Sequence, residues 1–155
     1  KPRITQQKAI YQGYTIWLLN GKQTGQYAVT EQAVPQGEPL RFTNLARTLV
    51  DMAVRPAYSG GPEQILQAYQ KARGKVTGAE IAEVLHRLSH IYPYAQAVGF
   101  YMDMAGFDKS DLAPLRSQLM QFDFYLDYQV ADLLYSSSWR LFYPGFLGNR
   151  TDVLV

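Results

Sequence analysis

Leu45-Ala46-Arg47-Thr48-Leu49-Val50-Asp51-Met52-Ala53-Val54-Arg55-Pro56 is the stretch in which the chain changes period. Leu45, Leu49, Met52 and Ala53 recur at helical spacing, with Thr43 or Asn44 placed to cap the first turn. The helix must end near Arg55, because a proline at 56 disfavours helical geometry in the residue before it. Tyr58-Ser59-Gly60-Gly61 then turns the chain, and Pro62 takes the first position of a second helix, where its missing N–H costs nothing. Ile65, Leu66 and Tyr69 form the apolar stripe of that helix, and Gly74 stops it.

Upstream of this switch the pattern is extended. Tyr14-Thr15-Ile16-Trp17-Leu18-Leu19 is aromatic and β-branched and runs into Asn20-Gly21, a strong turn dipeptide. The segment Gly25 to Thr30 is the expected partner strand, with Tyr27 and Val29 on one face, and Leu40-Arg41-Phe42 is a last short strand after the Pro35, Gly37, Pro39 loop.

Downstream the helical period continues. Thr77-Gly78-Ala79-Glu80 has capping-box spacing and opens a helix bearing Ile81, Val84, Leu85 and Leu88. Pro93 is expected to open a fourth helix reaching about Ala105, and Ser110-Asp111 to cap a fifth carrying Leu112, Leu115 and Leu119. The period then returns to two: Phe122, Phe124, Leu126 and Tyr128 alternate with Asp123, Tyr125 and Asp127, and Trp139 to Tyr143 reads as a further strand. Strands, about five helices, then strands describe a single α+β domain over residues 1–155.

The composition suits such a domain. The chain has 155 residues, 47% of them hydrophobic and 14% aromatic, which excludes the polar, aromatic-poor make-up of a disordered segment. Its fifteen Lys and Arg against thirteen Asp and Glu leave +2, too little to hold nucleic acid by charge alone. The absence of cysteine removes a disulfide scaffold, a thiol nucleophile and any thiolate zinc site. No run approaches the roughly 18 apolar residues that span a bilayer. Lys1-Pro2-Arg3 carries neither a signal-peptide core nor an initiator Met, so the chain is expected to be a piece of a longer protein.

Motifs for chemistry are few. His86 and His90 stand four apart, but position 87 is Arg where a zinc hydrolase needs Glu, so no metal is expected. Gly60-Gly61-Pro62 matches no phosphate-cradling loop, and Pro62 removes an amide such a loop would use. Ser136-Ser137-Ser138 has no base beside it, and a nuclease-like set of Glu38, Asp51 and a lysine follows no spacing rule. No catalytic residue and no cofactor is expected.

Binding features are better represented. Arg47, Asp51 and Arg55 stack along one helix face, either as exposed i,i+4 pairs worth about 0.2–0.5 kcal/mol each or as a docking stripe in which a buried Asp51 locks the following turn. Lys71, Arg73 and Lys75 gather at a helix C-terminus, where the dipole favours cations, and with Arg41 they are the candidate nucleic-acid contacts. Among the aromatics from Phe122 to Phe146, the candidates for a partner interface are Tyr125, Tyr135 and Tyr143. An alternative reading is therefore a plain protein-interaction module, and a more remote one a degenerate nuclease.

The run from Leu45 to Gly61 resembles a segment of the AbiEi family, the antitoxins and transcriptional regulators of bacterial type IV toxin–antitoxin systems involved in phage defence. Tyr92-Pro93-Tyr94-Ala95-Gln96-Ala97-Val98-Gly99-Phe100, Phe122-Asp123-Phe124-Tyr125-Leu126 and Trp139-Arg140-Leu141-Phe142-Tyr143-Pro144 are similar to later segments of that group. The resemblance spans most of the chain from Leu40 to Pro144. It implies a C-terminal α/β domain, preceded in the whole protein by a winged helix-turn-helix that reads the operator. It further implies a cytoplasmic, non-enzymatic protein that binds promoter DNA of its own operon and neutralises a nucleotidyltransferase-like toxin without a stable complex. Self-association and no membrane contact complete that expectation.

Overall fold

A computed structural model describes residues 5–19, 26–118, 121–127 and 131–148. The turn at Asn20-Gly21, the strand start at Gly25, Leu119 and Tyr128 lie outside the described residues. The α+β organisation holds. Three small sheets flank a helical body: β1 (Lys8–Tyr11) with β2 (Tyr14–Trp17), β3 (Val29–Gln32) with β4 (Leu40–Thr43), and a C-terminal trio. Between them run α1 (Leu45–Val54), a 3₁₀ turn (Pro56–Tyr58), α2 (Pro62–Ala72), α3 (Gly78–Leu88), α4 (Tyr94–Met104) and α5 (Lys109–Arg116).

The strand pairing at the N-terminus differs from the expected one. Tyr14–Trp17 pairs antiparallel with Lys8–Tyr11, not with the segment ending at Thr30, and the turn is Gln12-Gly13. Both turn residues have positive φ, 49° and 81°, the backbone twist that closes a two-residue hairpin tightly. The nearer turn wins because local closure costs less chain entropy than a longer loop. The strand Val29–Gln32 pairs instead with Leu40–Thr43.

The helix starts follow cap chemistry. The Asn44 side chain accepts the Arg47 N–H at 2.9 Å and caps α1. The capping box of α3 is complete: Thr77 N–H donates to Glu80 Oε2 at 2.8 Å, and Glu80 N–H returns to Thr77 Oγ1. The Thr77 N–H and the Thr77 hydroxyl, which also donates to Oε2 at 2.8 Å, hold the Glu80 carboxyl below its ordinary pKa. Two caps are corrected. Pro93 stands just before α4 rather than inside it, and Asp108, not Ser110 or Asp111, occupies the cap position of α5. Asp111 is used across the fold, accepting the Gly78 N–H at 2.8 Å and so joining α5 to the start of α3.

α4 is the central helix. Eight consecutive residues, Ala95 to Met102, are buried, because α1, α2, α5 and the C-terminal sheet enclose it on successive faces. Tyr69 of α2 stacks on Tyr101 with ring centroids 5.4 Å apart, and its hydroxyl donates to the Leu49 carbonyl at 3.0 Å. Burial pushes both phenols well above their ordinary pKa. Ile65, Ile81, Leu115, Leu141 and Leu147 complete the inner core.

The C-terminal sheet has the order β5 (Phe124–Tyr125), β7 (Leu141–Pro144), β6 (Leu133–Ser136), with β5 parallel and β6 antiparallel to β7. Within the described part of the strand expected from Phe122 to Tyr128, only Phe124 and Tyr125 lie in strand register with β7, and Leu126 N–H still donates to the Phe142 carbonyl at 2.9 Å. A short helix, α6 (Gly145–Gly148), follows β7. Gln96 of α4, fully buried, stitches the sheet to the helices: its Nε2 lies 3.2, 3.0 and 2.8 Å from the carbonyls of Phe122, Trp139 and Arg140.

Candidate functional site

Arg47 is the residue around which the best-defined polar site is built. It lies in the first turn of α1, only 4% exposed, an unusual depth for a guanidinium. Its Nε donates to Asp51 Oδ2 at 2.8 Å and its Nη1 to the Tyr27 carbonyl at 3.1 Å. The Asn44 N–H donates to the Ala28 carbonyl at 2.8 Å, so α1 and its cap grip the turn that precedes β3 from two points. From the other side the Arg87 guanidinium of α3 lies 5.9 Å over the Tyr27 ring, itself held by Glu83 at 2.8 Å.

Asp51 is half-exposed, not buried between two arginines. The lock on the joint therefore rests on the buried Arg47, with Asp51 as its charge partner. The turn after α1 is organised by backbone instead: Arg55 N–H donates to the Asp51 carbonyl, and Ser59 and Gly61 N–H to the Pro56 carbonyl at 3.0 Å. Gly60 and Gly61 supply the positive φ values, 79° and 85°, that swing the chain into α2. Arg47→Ala is expected to cost about 2 kcal/mol, the range for hydrogen bonds to a charged group. Loss of hydrogen-exchange protection at Asn44 would locate the damage; Arg47→Lys, lacking the planar fork, should restore little of it.

His90 follows α3 and feels the charges of this site. α3 ends at Leu88, with Ser89 in the left-handed region (φ 48°), so His86 and His90 do not share a continuous helical face. His90 Nε2 is buried with no hydrogen-bond partner, and its ring meets Tyr94 edge-on at 5.1 Å. Burial lowers its pKa from the ordinary value; Arg47 and Arg55 act in the same direction and Asp51 opposes them. A lowered folded-state pKa means that the fold favours the neutral ring. The contribution is complete above the unfolded value of roughly 6.5 and is lost as pH falls through the lowered one. A pH series of melting curves should show this loss, and His90→Gln should flatten the dependence below about pH 6.5.

The remaining candidates are placed apart from this site. Arg41, on β4, pairs with Glu31 across the β3–β4 ladder at 3.0 Å. Lys71, Arg73 and Lys75 are brought together where α2 ends; all are exposed, and none forms an ion pair among the described residues. The three tyrosines are divided by the sheet. Tyr125 stacks on Phe142 at 4.6 Å, and Tyr135 packs on the same ring at 4.8 Å, giving a row across one face. Tyr135 donates to Asp123 Oδ1 at 3.0 Å, which Arg140 approaches at 3.6 Å. Tyr143 points to the other face and packs on Phe100 at 4.7 Å.

The roles of Tyr27 and Arg87 escape a reading of the chain because the two come from distant segments that meet beside Arg47 only after folding. The signal that pointed to them was faint: the arginine in the first turn of an apolar helix. Among the described residues no group of three or more His, Asp or Glu side chains could hold a metal ion, and no helix is long and apolar enough to cross a membrane. No family model, no curated protein and no solved structure matches this chain.

Proposed function

We propose that this chain is the non-enzymatic regulatory domain of an AbiEi-like antitoxin of a bacterial type IV toxin–antitoxin system. In this reading it acts in the cytoplasm with a DNA-reading winged helix-turn-helix of the same protein, in repression of its own operon and in neutralising a nucleotidyltransferase-like toxin.

The observation that carries the reading is the position of the AbiEi-like stretch. Residues 45–61 make one helix and one turn, and the single buried arginine in that helix ties the helical body to the β3–β4 hairpin. A family-like motif that coincides with the central joint is better support than matches scattered over the surface. Lys71, Arg73 and Lys75 suit auxiliary phosphate contacts, with base readout assigned to the other module.

The test is genetic and then biochemical. Induction of the nucleotidyltransferase-like protein encoded beside this gene should arrest growth, and co-expression of the intact antitoxin should restore it; Arg47→Ala should weaken that rescue. The lack of such a neighbouring gene, or arrest undiminished by the intact protein, would sink the proposal. In a salt titration, binding of the chain to random duplex should weaken as salt rises, and replacing Lys71, Arg73 and Lys75 together should lower the slope by about 2–3.

A second reading, a protein-interaction module, is favoured by the row of Tyr125, Phe142 and Tyr135 on one sheet face. Tyr135→Ala would then abolish capture of a partner while leaving DNA binding intact.

A further inference from the structure

The hairpin β1–β2 is the most exposed apolar element of the described chain. Ile10 is 74% and Tyr14 75% exposed, and Tyr11, Ile16, Trp17, Leu18 and Leu19 are exposed with them. The hairpin meets the body at Tyr58, whose hydroxyl accepts the Thr5 N–H and whose ring Trp17 meets edge-on at 6.5 Å. A two-stranded hairpin on its own is marginal in water. Strand alternation puts Tyr11, Tyr14, Ile16 and Leu18 on one face and Ile10, Trp17 and Leu19 on the other, so the first face alone exposes on the order of 500 Å² of side chain, taking about 200 Å² for each whole one. That is less than the roughly 800 Å² per partner of a standard interface and suits a weak self-association.

The backbone indicates how the edge of that face is paired. Leu18 N–H donates to the Gln7 carbonyl, which puts Gln7 and Leu18 on the bonded phase of the ladder, while Gln7 N–H donates to the Thr5 hydroxyl. Bonded and non-bonded rungs alternate in an antiparallel ladder, which makes Ala9·Ile16 and Tyr11·Tyr14 the other bonded rungs. The backbone groups of Lys8 and Ile10 on β1, and of Thr15 and Trp17 on β2, therefore point outward. Among the described residues no strand pairs with either outer edge. The β1 edge carries the charge of Lys8, whereas β2 from Tyr14 to Trp17 has no charge and no proline, the devices that discourage edge pairing.

We propose that β2 pairs edge to edge with β2 of a second copy of this chain, in a four-stranded antiparallel sheet whose two-fold axis passes at Ile16. The register follows from the outward groups: Thr15 exchanges both backbone bonds with Trp17 of the second copy, and Ile16 faces its own equivalent on a non-bonded rung. Tyr14 and Leu18 then lie opposite each other on the same face as Ile16, which joins the two exposed apolar faces into one. A two-fold contact uses one patch twice, so it closes at a dimer and does not propagate. This proposal rests on the hairpin alone and does not depend on the antitoxin reading.

The chain has no cysteine, so a single introduced thiol reports the geometry. Residues facing each other on a non-bonded rung have Cα atoms about 4.5 Å apart, inside the disulfide range. Ile16→Cys should oxidise to a covalent dimer at least about tenfold faster than Gln67→Cys, an exposed position on α2. Sedimentation velocity should show the native chain moving from monomer to dimer with concentration. Thr15→Pro removes one outward N–H without touching the β1 rungs; it should weaken association at least about tenfold and leave the melting temperature of the dilute monomer unchanged.

A chain that stays monomeric, with Ile16→Cys cross-linking no faster than Gln67→Cys, overturns the proposal. Association indifferent to Thr15→Pro places the contact elsewhere, at the Tyr125–Tyr135 row or another surface, and overturns it as well. A monomer whose hairpin amides gain exchange protection only when a different polypeptide is added would assign the edge to that polypeptide instead.

Discussion

Gly99→Ala should lower the stability of this protein by about 3 kcal/mol, the upper part of the range for overpacking a filled core. A Cβ at position 99 would sit 2.1 Å from Cζ3 and 2.4 Å from Cη2 of Trp139. The indole cannot move aside, because it is held on every side that matters. Its Nε1 donates to Asp103 Oδ2 at 2.7 Å, the Arg116 guanidinium lies 4.3 Å over the ring, and Gln96 fixes the backbone carbonyls of Trp139 and Arg140. A methyl group on α4 must therefore push the C-terminal sheet off the helical body. For a chain of this length the melting temperature should fall by roughly 10 °C. The double variant Gly99→Ala, Trp139→Leu should cost clearly less than the two single changes added together, because the smaller side chain removes the collision. Additive costs, or a Gly99→Ala melting curve that overlays the native one, would show that Trp139 does not lie against α4 in this way.

Gly78→Ala should be at least as damaging, about 3 kcal/mol, for a different reason. Here the added methyl would stand 1.7 Å from the backbone oxygen of Asp111 and 2.5 Å from its carbonyl carbon. A side chain can rotate away from a neighbour; the backbone of a helix cannot. α3 and α5 would have to separate, weakening the bond from Gly78 N–H to Asp111 and loosening the contacts of Leu112 and Leu115, both buried. Asp111→Ala supplies the control, since it deletes the hydrogen bond without adding volume and should cost only about 1–2 kcal/mol. If the two variants unfold at the same urea concentration, close packing at Gly78 is not what holds these helices together.

Neither glycine announces its role in the sequence. Gly78 reads as part of a capping box and Gly99 as a helix position of low propensity. Their importance comes from what crosses over them: the first turn of α5, thirty-three residues on, and an indole forty residues on. The same holds for the polar site. The spacing of Arg47 and Asp51 shows that they can pair, but not that Arg47 is buried and Asp51 half-exposed. That asymmetry arises because the Tyr27 turn closes over Arg47 alone. The three candidate tyrosines illustrate it again: strand alternation sends Tyr143 to the Phe100 side, while Tyr135 and Tyr125 meet Phe142 on the other.

What the sequence determined by itself was the local part of the fold. Apolar residues at helical spacing, a capping box at Thr77, an asparagine cap and prolines at helix starts act within a few residues, so α1 to α5 were legible with small errors at the caps. What only the tertiary structure decided was everything that depends on partners distant in the chain. Tyr14–Trp17 was expected to pair with the segment ending at Thr30, and loop closure gave it Lys8–Tyr11 instead. Phe124 and Tyr125 took their register from β7, and Leu133–Ser136 became a strand only because β7 lay beside it. Side-chain period and caps are properties of a segment; strand pairing, burial and the Arg47 joint are properties of the packed chain, and no segment carries them alone.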